Sequence, residues 1–313
     1  MLSKNMRILV TGGQGFIGSH LIQYLRDLGF RHIYSVSRSP QRVNNSNDEV
    51  NYITADLRRP QEVKELLKTI EPQIIYHLAA DARTSRNIHD LRDMMDSNIN
   101  SVVNILSSIV ESQFKIDCFV YAGSCEEYGL NNGPFTENMV TDPISLYSGT
   151  KAAASALVKM YYNMYQIPTI TLRPSLVYGP GQSQRFFIPQ LIDKFIANET
   201  FQMTYGEQTR DFIYVKDVVT GLVDVVNSPS LFGEVVNLSF GSSIRLREIV
   251  QIIAEITGSK SVVHFGAIPY RENEIMSYEV SNYKLRSNTS WEPKVNIDEG
   301  LNMMISQRRG ESI

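Results

Sequence analysis

Cysteine, histidine and net charge are all scarce in this chain, and each scarcity removes a class of function. Two cysteines, Cys118 and Cys125, among 313 residues cannot build a disulfide framework. Five scattered histidines and no CxxC pair give no metal-ligand spacing, so no metal is expected. A formal net charge of -3 offers no field for a polyanion, and the basic pairs Arg58-Arg59 and Arg308-Arg309 stand apart, which argues against a nucleic-acid partner. No apolar run approaches the roughly 18 residues a membrane span needs. The opening MLSKNMRILVTGG lacks the basic region, long apolar core and cleavage site of an export signal, so a cytoplasmic location is expected. What remains, 42% hydrophobic and 20% charged residues, is the composition of an ordinary soluble globular protein.

The first 180 or so residues alternate short apolar runs (RILVTG, HIYSVS, QIIYHLAA, DCFVYAGS, TITLRPSLVYG) with longer segments of helical period. Apolar runs between helices imply a parallel sheet covered on both faces, hence a doubly wound α/β fold of Rossmann type. A polar loop, SPQRVNNSND, follows the second strand. Beyond VYGPGQ the texture changes, and a smaller, interleaved C-terminal substrate domain is expected. Residues 1–176 are read as the first, sheet-bearing domain, which also receives about 212–240, and residues 177–211 and 241–313 as the second.

Gly12, Gly15 and Gly18 stand between a predicted strand and a predicted amphipathic helix. In such a turn the first glycine makes it tight, the second admits a pyrophosphate and the third packs helix on strand. The start of the helix, at Phe16 and Ile17, then faces the phosphates with its N–H groups. About twenty residues on, where a carboxylate usually holds the adenosine ribose, the chain has Ser37 and then Arg38. A guanidinium in place of a carboxylate favours a 2′-phosphate, so NADP is expected ahead of NAD.

Tyr147 and Lys151 lie four apart at the start of a predicted helix and share a face. A phenol becomes a useful acid and base near neutrality only if its anion is stabilised by about three pKa units, roughly 4 kcal/mol. A nearby ammonium and a positive nicotinamide ring are able to supply this. Met160, Tyr161 and Met164 read as a core or dimer stripe, His77 as a bonded strand residue, Glu127 as a solvated loop charge and Tyr128 as a packing residue.

Taken in order, TGGQGFIG, HLAA, YAGSCEEYG, YSGTK, LRPSLVYGPG and RDFIYVKD resemble the extended short-chain dehydrogenase/reductase family, the sugar-nucleotide epimerase/dehydratase group, over nearly the whole chain. The resemblance implies a catalytic triad at Ser124, Tyr147 and Lys151. It implies cofactor contacts at the glycine turn, Asp56, Leu57, the loop alanines Ala79 and Ala80, Asn98 and Pro174. It also implies substrate contacts at Ser124, Cys125 and Glu126, a diphosphate held by Arg210 and Arg271, and Tyr278 near the hexose. Two departures matter. Family 4,6-dehydratases carry an Asp-Glu pair where this chain has Cys125 and Glu126, which disfavours dehydration, and Leu176 replaces an Asn that contacts substrate in many relatives.

The sequence is therefore read as an NADPH-dependent reductase of the 4-keto group of a nucleotide-linked 4-keto-6-deoxyhexose, with Tyr147 as acid. A nucleotide-sugar 4-epimerase using the same triad and usually a bound NAD is the first alternative, and a non-catalytic NADP-sensing protein the second. The helix carrying Tyr147 and the long helix before it have enough small and apolar residues for a homodimer interface.

Overall fold

Three consecutive residues of the first strand, Ile8, Leu9 and Val10, are fully buried, as a strand covered on both faces requires. In the computed structural model, which describes residues 3–40, 50–83 and 85–311, this strand lies inside a seven-stranded parallel sheet. The strands are β1 (Arg7–Thr11), β2 (His32–Ser37), β3 (Val50–Thr54), β4 (Ile74–His77), β5 (Cys118–Ala122), β6 (Thr169–Pro174) and, after four short strands, β11 (Val235–Leu238). The short ones are β7 (Leu176–Tyr178), β8 (Phe201–Met203), β9 (Thr209–Arg210) and β10 (Phe212–Tyr214). The sheet order β11-β6-β5-β4-β1-β2-β3 is doubly wound. The polar loop expected after β2 falls, from 41 to 49, outside the described residues.

Alternate residues of each strand feed opposite cores. Ile8, Val10, Ile74, Tyr76 and Val120 face α1 (Phe16–Asp27) and α7 (Val215–Asp224). Leu9, Ile75, Phe119 and Tyr121 face α2 (Pro60–Ile70), α4 (Ser101–Ser112) and α5 (Leu146–Tyr165). The intervening α3 (Leu91–Met95) runs into α4 through a π turn at Asp96–Asn100. A separate core belongs to α6 (Phe187–Ile196), α8 (Leu246–Thr257) and α10 (Ile297–Arg309), with α9 (Tyr283–Asn288) packed beside β11. A small fourth core of Cys125, Tyr128, Phe135, Tyr278 and Val280 joins the sheet's carboxyl edge to this second lobe. Among the described residues, no helix is long and apolar enough to cross a membrane.

Candidate active site

The carboxyl ends of β1, β2 and β4 form the dinucleotide end of the site. Gly12 has φ of 69°, and a Cβ there would stand 2.8 Å from the backbone of Ala79; at Gly18 it would stand 2.2 Å from the Gly12 carbonyl oxygen. Only glycines let β1, the turn and the Ala79–Ala80 loop come this close. Helix α1 starts at Phe16, with Gly15 as an extended cap residue and no side-chain cap. Its first-turn N–H groups are thereby directed at a ligand in front of the helix, a fit for a dinucleotide pyrophosphate.

At the end of β2 the Ser37 hydroxyl accepts from the Gln14 amide at 2.8 Å and donates to the Ser39 carbonyl at 2.7 Å. Arg38 is exposed beside them. Hydrogen bonds from Arg58, and secondarily the charge of Arg38, hold the Asp56 carboxyl below its usual range despite partial burial. Leu57 is buried under α4. Asn98, placed among the cofactor contacts by resemblance, is 1% exposed, and its amide is spent on protein: it donates to Thr150 Oγ1 at 2.9 Å and to the Asp81 carbonyl, and accepts from the Asp81 N–H at 2.7 Å. It ties the Ala79–Ala80 loop to α5. Pro174 closes β6 at the same edge.

Helix α5 brings Tyr147 and Lys151 to this edge. Ser145 caps it by accepting from the Ser148 N–H at 3.0 Å, and Ser148 Oγ reciprocates to the Ser145 N–H at 3.0 Å; such a cap is worth about 1 kcal/mol. One turn on, Lys151 is 2% exposed, and its Nζ donates to the Ala122 carbonyl at 2.6 Å. That Nζ lies 4.9 Å from the ring centre of Tyr121 and 5.9 Å from that of Tyr147. Burial lowers the Lys151 ammonium to about 8, while the charge of Glu127 opposes the fall. Burial drives the Tyr147 phenol upward, the carboxylates of Glu126 and Glu127 add to this, and a hydrogen bond with Ser124 works against it. Tyr147 thus holds its proton until a further positive charge arrives. His77 is a bonded strand residue, with Nδ1 at 2.9 Å from Thr11 Oγ1 and Nε2 at 3.3 Å from Ser101 Oγ.

The stretch GSCEEYG turns out to be a capped 3₁₀ turn. Ser124 is its N-cap, its Oγ accepting from the Glu126 N–H at 3.1 Å. Glu126 is open to the cleft, yet enough protein surrounds it that desolvation raises its pKa against the pull of Arg271 and Arg210. Cys125 points the other way, fully buried, with Sγ 3.0 Å from the Arg173 carbonyl. Burial pushes its thiol well up, so it is no acid for substrate chemistry. Glu127 corrects the reading of the sequence: it is no solvated charge but is wholly buried in an ion pair with Arg173 at 2.8 Å. Tyr128 packs as expected and also donates to Asn237 Oδ1 at 2.6 Å.

Arg210 lies across the cleft, its guanidinium bonded to the Thr209 and Ile275 carbonyls and paired with Glu274. Arg271 is exposed nearby. Tyr278 is 4% exposed, packed edge-on against Phe135 in the small core, so it and Cys125 lie beneath the cleft surface rather than on it. Asp211, overlooked in the sequence, is fully buried and accepts from Ser175 Oγ, the Phe240 N–H and the Gly241 N–H, each at 3.0 Å, pinning the two lobes together. An acid directly after an arginine and before an apolar strand was the available signal.

Comparison with known proteins gives the chain its family. Residues 8–239 match the model of the NAD dependent epimerase/dehydratase family. UDP-glucose 4-epimerase of Mycolicibacterium smegmatis is 27% identical over 98% of this chain and 100% of its own. The structure of UDP-glucose 4-epimerase from Thermotoga maritima with UDP-glucose superposes with a TM-score of 0.89 at 25% identity, over 97% of this chain and 99% of that one. The Thermus thermophilus UDP-glucose 4-epimerase complex with NAD gives 0.84 at 25% identity, over 97% and 99%. These relatives favour the 4-epimerase alternative over 4-ketoreduction. With the glycine turn, the Tyr147–Lys151 helix and the match over residues 8–239, the chain belongs to the NAD-dependent epimerase/dehydratase family of enzymes.

Proposed function

We propose that the enzyme inverts C4 of a nucleotide-linked hexose, as a 4-epimerase. The observation that carries this reading is the Ser124, Tyr147 and Lys151 arrangement at the mouth of a dinucleotide cradle, beside a turn whose Cys125 thiol is turned away and buried. Elimination of water needs an acid at that position, and none is there. When bound, a nicotinamide dinucleotide would supply a reversible two-electron acceptor for the hydride from C4.

The chain's own residues manage the proton. Ser124 orients the C4 oxygen. Tyr147 takes the proton from the C4 hydroxyl as the carbonyl forms and returns it when the opposite face is reduced, so one phenol serves both half-reactions. Lys151, fixed by the Ala122 carbonyl, offsets the burial that holds the phenol neutral. Arg271 and Arg210 hold the diphosphate, and Glu274 must release Arg210 as it arrives. Incubation with UDP-glucose, UDP-N-acetylglucosamine and UDP-glucuronic acid tests the reading. Conversion of at least one to its C4 epimer is expected; inertness towards all three in protein loaded with either NAD or NADP would contradict it.

One observation favours the reductase as a second reading: Ser37 and Arg38, not a carboxylate, stand at the end of β2. If it grips a 2′-phosphate, Arg38→Ala weakens NADP binding by about 1 to 3 kcal/mol and leaves NAD nearly unchanged. Titration of both cofactors against both proteins decides, and equal loss for the two sinks the 2′-phosphate role.

A further inference from the structure

The chemistry above makes no use of the ion pair beneath Ser124. The side chains of Glu127 and Arg173 are 0% and 5% exposed. Burying two charges is costly unless every polar atom is bonded, and here the bonding is dense. Glu127 Oε2 accepts from Arg173 Nε at 3.0 Å and is 2.8 Å from Arg173 NH2, while Oε1 accepts from the Ser124 N–H at 2.8 Å. The guanidinium carbon of Arg173 lies 4.7 Å from the Tyr128 ring centre. The backbone is fitted round the carboxylate, because a Cβ at Gly123 would stand 2.6 Å from Oε1. A pair of apolar side chains is able to join β5 to β6 at no such cost, so a retained charge calls for a use.

We propose that Glu127, locked in place by Arg173, is a positioning residue: it fixes Ser124 at the reacting oxygen through the backbone, and it holds its carboxylate against the Ala122–Ser124 segment that also anchors Lys151. The inference rests on the proton-transfer role given to Tyr147 above. The groups around the pair are Glu126 and Glu127 from the turn, Tyr121 from β5, Arg173 from β6 and His77 from β4. Of these, Glu127 acts on both members in one direction, favouring protonated Tyr147 and protonated Lys151.

Glu127→Gln keeps an oxygen for the Ser124 N–H and removes the charge. Both limbs of the pH profile of kcat should then move to lower pH by about half a unit or more, with KM within about threefold. Glu127→Asp, which retains the charge, should leave the limbs in place even if the rate falls. Should Glu127→Gln fail to fold, the double variant Glu127→Gln with Arg173→Met removes both charges, and the limbs should move in the same direction by a smaller amount because the opposing charge of Arg173 goes too. A second readout needs no substrate: Lys151, followed by NMR of ε-13C-lysine and assigned through Lys151→Met, should titrate below its native midpoint of about 8. If no nucleotide sugar is turned over, the 4-epimerase reading fails, and the Lys151 titration still decides on Glu127. Unmoved limbs, or an unmoved Lys151 midpoint, in a folded charge-free variant would overturn the proposal and leave the pair a strut.

Discussion

Ser124, Tyr147 and Cys125 sit within one site and are asked for different things. Ser124→Ala removes one donor to the developing oxyanion, and turnover should fall about 10 to 1000-fold. Tyr147→Phe removes the group that carries the proton and should cost about 100 to 10,000-fold. Cys125→Ala should leave turnover within about twofold, because the thiol faces the Arg173 carbonyl and not the cleft, at a loss of roughly 1 kcal/mol of stability. Steady-state kinetics on the three variants check this ranking; a Cys125→Ala enzyme as damaged as Tyr147→Phe would place the acid in the turn. The shared helix face of Tyr147 and Lys151 was legible because spacing four apart on a helix fixes it. The Glu127–Arg173 pair was not, since it joins residues 46 apart in sequence, and an acid in a polar turn looks solvated until the fold closes over it. Arg173 inside the apolar run TITLRP was the clue, a charge where a buried strand has no water for it.

At the scale of elements, β1, β4 and the first residue of α4 are held together around His77. Its ring contacts Thr11 and Ser101 and stacks against Phe119 and Tyr121 at 6.0 and 6.1 Å. Burial lowers its pKa from 6.5 to about 3, with the charge of Lys151 adding to the fall. The unfolded chain therefore binds this proton below pH 6.5 while the folded chain refuses it until about 3, and stability drops as pH falls through that window. Between pH 7 and pH 5 the loss from His77 alone is about 2 kcal/mol. Urea unfolding at the two pH values should show a smaller difference in His77→Gln than in the native chain; equal differences would mean that the imidazole titrates normally. Strand and helix order in this half was readable from alternating apolar runs and helical periods. The short strand β8 was harder to read, because it pairs outside the main sheet and leaves little periodicity in the sequence.

Over the whole molecule, the sheet supplies the cradle and the second lobe the arginines, and β11 returns across the boundary to pair with β6. A division of the chain in which about 212–240 serves the dinucleotide half is proposed on that pairing. Met95 on α3 and Met164 and Tyr165 at the end of α5 are 44%, 63% and 47% exposed, an apolar stripe suited to a second copy of the chain. A homodimer is expected by light scattering, and Met164→Glu should shift it to monomer; a native monomer at working concentration would reject the interface.

The central claim, inversion at C4 by oxidation and return, is tested most directly with a nucleotide hexose carrying deuterium at C4. The account predicts the opposite C4 epimer with the deuterium retained at C4 and no net change in nicotinamide oxidation state. One-for-one consumption of NADPH with a 4-keto sugar nucleotide, and no interconversion of epimers, would contradict it and restore the reductase.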